Sequence, residues 1–389
     1  MISLQSESQC EILLDNFIET DLQMFLRPLN VLHYVFFSTK YSIRCSFITP
    51  NSRLANFIAL CSSICFVIAY FTVIALNDSI LRLDTVLLFL LMANLFLYAL
   101  GYILNSFINI VQSDIHVKLI IKIKNIKKFI TSSRINYKRL IIVNWIYVIF
   151  TVMFYSIIVL IYVQHSNFEV LYLFIALLLL LTDYNTIYMI RMNKLLRNIV
   201  DLWTSELKDE QLKIIDDGDV NEEARQKIYW DAKCKTFADI IDASYMFKEL
   251  CQNSTLYHIG IFFMQLLDNI QYVIMSCTFN SVTGFLLLRT MKNITLLLMI
   301  CFECEMLFTS LKNTKVLFLK LAADKNCTSK YQVFVIICIE RLAYKRLLRG
   351  SRYEPLQACG MLTVDATLPL RFLSVLASYT AVLLQIQFS

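Results

Sequence analysis

The chain has 389 residues, 58% of them apolar and 17% charged, with a formal net charge of +6. A soluble globular chain carries about 45–50% apolar and about 25% charged residues, so a soluble domain and a disordered chain are both excluded. Only 6 Gly and 4 Pro leave little room for long loops, while 28 Phe and 20 Tyr suit bilayer interfaces and cavity walls.

Residues 1–55 carry Glu7, Glu11, Asp15 and Glu19 where a signal peptide would be basic and then apolar. No cleaved leader is expected, and the segment reads as cytoplasmic. A bilayer core about 30 Å thick needs about 20 apolar residues in a helix. Six stretches meet that length between 56 and 309: about 56–76, 85–111, 140–163, 168–190, 255–276 and 290–309. A seventh follows at about 366–388.

Lys and Arg set the direction, because they gather on the cytoplasmic side. Segment 113–139 holds eight (Lys118, Lys122, Lys124, Lys127, Lys128, Arg134, Lys138 and Arg139) against one acid, Asp114. Segments 191–253 and 310–365 hold ten each, and residues 1–55 hold four. The connections at 77–84 and 164–167 hold Arg82 alone. The expected fold is therefore an all-α membrane protein, a seven-helix bundle with a cytoplasmic N-terminus and an extracellular C-terminus. Its parts are an N-terminal segment (1–55), spans one to six with their loops (56–309), a cytoplasmic helical anchor region (310–365) and a last helix (366–389). The sequon at Asn77 falls in an outer loop and is a glycosylation candidate. Those at Asn253 and Asn326 fall inside.

The fourth span runs on through Arg191 and Lys194 as one long helix. After a break at Asp216-Asp217-Gly218-Asp219, a pattern from Asn221 to about Leu250 leads into the fifth. Segment 328–348 predicts another cytoplasmic helix, and 114–130 fits either a packed or a membrane-surface helix. The twelve Cys read as small apolar side chains, so no disulfide framework, metal or cofactor is expected.

Polar groups in hydrocarbon are costly and mark candidate sites. Gln265, Asp268, Asn269 and Tyr272 recur at helical spacing on one face of the fifth span. Asn94, Tyr98, Tyr155 and Tyr172 stand in the outer halves of spans two to four. Together they make a candidate small-molecule pocket, against the alternative that Asp268 simply pairs with Arg289 or Lys292. On the last helix Ser374, Ser378, Ala381 and Gln385 form a narrow stripe beside Val382. Four such helices around an axis would enclose a pore. A packing seam of small residues is the other reading.

Ser378-Tyr379-Thr380-Ala381-Val382-Leu383-Leu384-Gln385-Ile386 resembles the insect gustatory receptor signature of Thr-Tyr, five mostly apolar residues, then Gln-Phe. The run from Ala358 to Leu370, with Arg27-Pro28-Leu29-Asn30 and Ile48-Thr49-Pro50-Asn51-Ser52, looks like moth and butterfly members, and Cys301 and Glu303 fit loosely. The resemblance implies tetrameric, ligand-gated, non-selective cation channels in the plasma membrane of taste neurons. Self or related subunits would be its partners, with lipid, a small tastant and monovalent and divalent cations. It places Gln385 at the outer pore constriction, Val382 at an apolar gate, and Ser378 and Ala381 along the wall. Ile386 stands where the motif has Phe, which alters that constriction. Thr380 stands where sugar receptors resemble Thr-Tyr-Glu, pointing toward members tuned to bitter or deterrent plant compounds.

The alternatives are a sugar-type member and a seven-helix G-protein-coupled receptor. The latter needs an external N-terminus, which the basic-residue count opposes, and the third span's inner end lacks Asp-Arg-Tyr and the seventh helix lacks Asn-Pro-x-x-Tyr. No HExxH, GxSxG or P-loop motif supports an enzyme, and nothing suggests nucleic acid binding.

Overall fold

The computed structural model describes residues 16–76, 85–130, 137–165, 170–214, 223–276, 281–323, 356–358 and 362–388. Expectations at Asn77 and at 328–348 lie outside them, as do the side chains of Tyr172, Asp268, Tyr272 and Ile386. Among the described residues nine helices follow in chain order: α1 (Thr20–Val35), α2 (Arg53–Ala75), α3 (Thr85–Val111), α4 (Ser113–Lys128), α5 (Tyr137–His165), α6 (Val170–Ile214), α7 (Glu223–Ser276), α8 (Ser281–Ala323) and α9 (Leu368–Phe388). Two short hairpins interrupt them, β1 (Ser42–Arg44) with β2 (Phe47–Thr49), and β3 (Gln357–Ala358) with β4 (Leu362–Thr363).

Local chemistry accounts for the ends. Ser52 caps α2 by accepting from the Ala55 N–H at 3.2 Å. Asp365 caps α9, its Oδ1 accepting from the N–H groups of Thr367 and Leu368 at 3.0 Å each. Burial pushes its carboxyl up, but these donors and Arg371 outweigh that and hold it below the usual range. Pro369 sits in the first turn, where a missing N–H costs nothing. Pro28 lies inside α1, and its carbonyl accepts from the Tyr184 hydroxyl on α6. The β1–β2 turn puts Cys45 and Ser46 at φ 48° and 70°, the left-handed pair that a two-residue hairpin requires.

Among the described residues five helical stretches are long and apolar enough to cross a membrane: Arg53–Ala75, Met92–Val111, Tyr137–Ile161, Leu173–Lys208 and Leu286–Phe318. The molecule is thus a multi-pass, all-α membrane protein. The stretch at 255–276 is helical and carries Thr255, His258, Gln265 and Asn269. All four are buried. In α9 the described apolar run is Leu368–Val382.

About 72% of the most apolar window of α6 is buried, against 28% for those of α2 and α5. So α6 is the axle of the bundle, and α2 and α5 face outward. Three helices outrun any bilayer. α6, α7 and α8 have 45, 54 and 43 residues, and an α-helix rises 1.5 Å per residue. Their extensions pack together, with Trp203, Phe237 and Phe318 meeting at ring distances of 4.7 to 6.1 Å. Thr204 and Thr314 are hydrogen-bonded at 2.7 Å. The α4 question resolves toward packing. Val117, Leu119, Ile120, Ile123 and Ile126 are buried, and Lys122 pairs with Asp239 on α7. This half is called the basic end below.

Apolar burial does not drive helices together inside lipid, so close packing must. Gly101 on α3 shows it. A methyl group there would overlap the Tyr257 ring of α7, whose hydroxyl donates to the Leu97 carbonyl at 3.1 Å. Gly101→Ala is expected to cost about 1–3 kcal/mol by overpacking. Adding Tyr257→Ala should return part of that loss in a melting assay of the purified protein.

Candidate functional site

The half of the bundle opposite the basic end, called the outer half below, holds a buried polar cluster built from five helices. Asp183 on α6 is the one acid between Val170 and Val200 and is 3% exposed. It pairs with Lys292 on α8. The Tyr155 hydroxyl of α5 joins both, donating to Asp183 at 2.6 Å and accepting from Lys292 at 3.0 Å. Lys292 also lies 5.5 Å from the Phe154 ring centroid. One turn earlier on α8, Arg289 donates to the Tyr98 hydroxyl of α3 at 2.9 Å. From α7, Asn269 donates to Thr290 at 2.7 Å and Gln265 accepts from Asn293 at 2.5 Å. Asn94 is buried on α3.

Tyr98, Tyr155, Gln265 and Asn269 therefore do converge on one region, and what collects them is the outer part of α8. Lys292, weighed from sequence as a partner for Asp268, is engaged by Asp183. Sequence reading missed Asp183, although a lone carboxylate amid a leucine run is the signal that polar residues in hydrocarbon supply. It also missed Asn293 and Thr290, which are ordinary polar residues until their partners are seen.

Two small cavities lie deeper. One is lined by Gly101, Tyr102, Asn105, Asn185, Tyr257 and His258 among others, and the next by Lys40, Asn105, Asn109, Gln112, His116 and Asn185 among others. Their volumes, traced by water centres, are about 10 and 20 Å³, room for one or two waters. None of the five described pocket candidates lines either one. Chemically, the outer cluster is a charge-assisted core of Asp183, Lys292 and Tyr155 flanked by neutral amide and hydroxyl hydrogen bonds. A ligand entering it must exchange its own polar groups for those of Asp183, Lys292 and Tyr155.

At the basic end, Glu303 of α8 faces two cations of α6. Arg197 lies at 3.1 Å, without hydrogen-bond alignment, and Lys194 at 3.6 Å. Arg191 donates to Asn144 of α5 at 2.6 Å. Cys301 and Cys304, spaced three apart on α8, are both buried, and Asn193 contacts Cys304 at 3.5 Å. These contacts knit the bundle and leave no open site.

The last helix has two faces. Leu368, Phe372 and Leu376 are buried, and Phe263 of α7 meets the rings of Phe372 and Tyr379 at 5.8 and 5.6 Å. Ser374, Ser378, Ala381, Val382 and Gln385 are all exposed. At 3.6 residues per turn the Ser374–Gln385 stripe is centred about 145° from the packed face. The Ser378 hydroxyl is satisfied within the helix by the Ser374 carbonyl at 3.0 Å.

Bundle, buried charge cluster and a terminal helix packed on one face together define a multi-pass helical membrane protein. No protein-family model matches the chain, and no curated protein matches it.

Proposed function

We propose that the chain is a subunit of a ligand-gated, non-selective cation channel of the insect gustatory receptor kind. Four copies join through α9, with seven spans and a cytoplasmic basic end. The observation that carries this reading is the opposition of the two faces of α9. One face anchors on α7 and α8, and the polar stripe points away from the subunit, where copies around an axis would meet. The outer cluster at Tyr98, Tyr155, Gln265 and Asn269, with Asp183 and Lys292, receives the tastant, a bitter or deterrent plant compound. Parting that cluster frees α7 and α8, against which α9 packs. The site of action is the plasma membrane of sensory neurons.

The test is expression in cells with a tag at each end, under whole-cell voltage clamp. Antibody should reach only the C-terminal tag on intact cells, and a panel of plant metabolites should include one that opens a cation current. An N-terminal tag reached from outside would favour the G-protein-coupled receptor reading instead.

A further inference from the structure

Lys40, between α1 and β1, is 6% exposed and lines the larger cavity at the basic end. Its ammonium donates to Asn109 of α3 at 2.8 Å and lies 4.8 Å from the Tyr188 ring centroid of α6. Among the described residues no carboxylate pairs with it. The groups around it are His33 of α1, Tyr41, His116 of α4, Tyr188, and Cys251 of α7. Glu249 of α7 is exposed, and its backbone carbonyl accepts from Gln112 at 3.5 Å. No negative charge therefore offsets a buried cation, a costly arrangement that is relieved by losing the proton.

The lining also has unmet hydrogen bonds. Asn105 Nδ2 is a donor without a partner, and Gln112 Oε1 and Asn185 Oδ1 are acceptors without one. Two waters match this set, accepting from Lys40 and Asn105 while donating to Gln112 and Asn185. A bound anion would face two acceptors and fits worse. The cavity volume of about 20 Å³ suits waters and excludes an organic ligand.

The geometry points to the Lys40 cavity as a hydrated proton-binding site, charged or neutral according to the pH facing the basic end. Its charge sets how tightly the N-terminal segment closes on α3 and α6. The proposal is independent of the channel reading. Burial brings the proton affinity of Lys40 down to about 7, with Cys251 acting the other way. In the unfolded chain the amine holds its proton to about pH 10.4. Between these values the unfolded state binds the extra proton, so stability rises with pH above 7 and this contribution is lost as pH falls through 7. His33 and His116, whose affinities are lowered by burial and then by Lys40, give a rise in the same direction but confined below about pH 6.5.

The full chain in lipid nanodiscs is melted from pH 5 to pH 9 beside Lys40→Met, Lys40→Gln and Lys40→Arg. Relative to Met and Gln, the wild-type folding equilibrium should improve about tenfold per pH unit above 7. Lys40→Arg, which keeps its charge, should stay low throughout. In acid, maleimide labelling of Cys251, read by mass spectrometry, should be faster in wild type than in Lys40→Met. Parallel melting curves for wild type and Lys40→Met, or a Lys40→Arg protein as stable as wild type at pH 9, would overturn the proposal. So would a melting point at pH 6 that depends on chloride against gluconate at constant ionic strength, because an anion would then hold the site.

Discussion

Lys292→Ala is expected to destabilise the bundle by about 3–5 kcal/mol and to remove most of the protein from the cell surface. Asp183 would then lose its cation partner in a site 3% exposed, with the Tyr155 hydroxyl still donating to it. Removing one member of a buried pair leaves the other uncompensated, and that costs far more than the pair contributes while intact. The sharper test is the pair of changes together. Asp183→Leu with Lys292→Met replaces both charges by apolar groups of similar reach and should recover nearly all the lost stability. Melting of detergent-purified protein reads both. If the double variant is no more stable than Lys292→Ala, the two residues do not act as one unit. Ligand response separates a structural from a functional role. A double variant that folds and reaches the surface should lose tastant sensitivity if the cluster is the binding site, and should keep it if the cluster only pins helices.

Gln385→Glu is expected to turn the outer end of the proposed pore into a trap for divalent cations. Four copies would place four carboxylates in one ring, where two unit charges about 4 Å apart interact by roughly 4 kcal/mol at an effective dielectric near 20. A neutral amide replaces part of an ion's water shell without holding the ion, whereas a carboxylate ring holds Ca²⁺ and lets it block or permeate. Val382→Asn, about a turn earlier on the same helix, should ease wetting of the apolar constriction and raise leak without ligand. Reversal potentials, Ca²⁺ block and basal current are the readouts. Values equal to wild type in both variants would mean that this face meets lipid or a packing partner, and the small-residue seam would be its role.

Much of the architecture was legible because hydropathy and charge placement are sums along the chain. Runs of about twenty apolar residues between Arg53 and Ala75 or Tyr137 and Ile161 announce themselves, and the Lys and Arg counts separate the two ends. The continuation of the fourth span into one long helix was readable from the absence of Gly or Pro before Ile214. The stripe on α9 was visible from spacing alone. Which face of α9 is covered was not, because that depends on where Phe263 sits.

The pocket shows the same division. The polar face of the fifth span marked Gln265 and Asn269, and Tyr98 and Tyr155 were marked as outer-half polar groups, but no pattern joined them. Asp183 and Lys292 are 109 residues apart, and their pairing exists only because α5, α6 and α8 cross at one depth. The charge of Lys40 is another case. In the sequence it is one of 36 basic residues, and only the packing of α1, α3, α4, α6 and α7 around it takes it out of bulk water and leaves it, among the described residues, without a carboxylate partner. The sequence by itself determined a helical membrane chain, five apolar stretches long enough to span and a basic end, since those follow from local composition. The tertiary structure alone decided which buried charges are paired, because a partner's distance and the local dielectric are set by helices far apart in the chain.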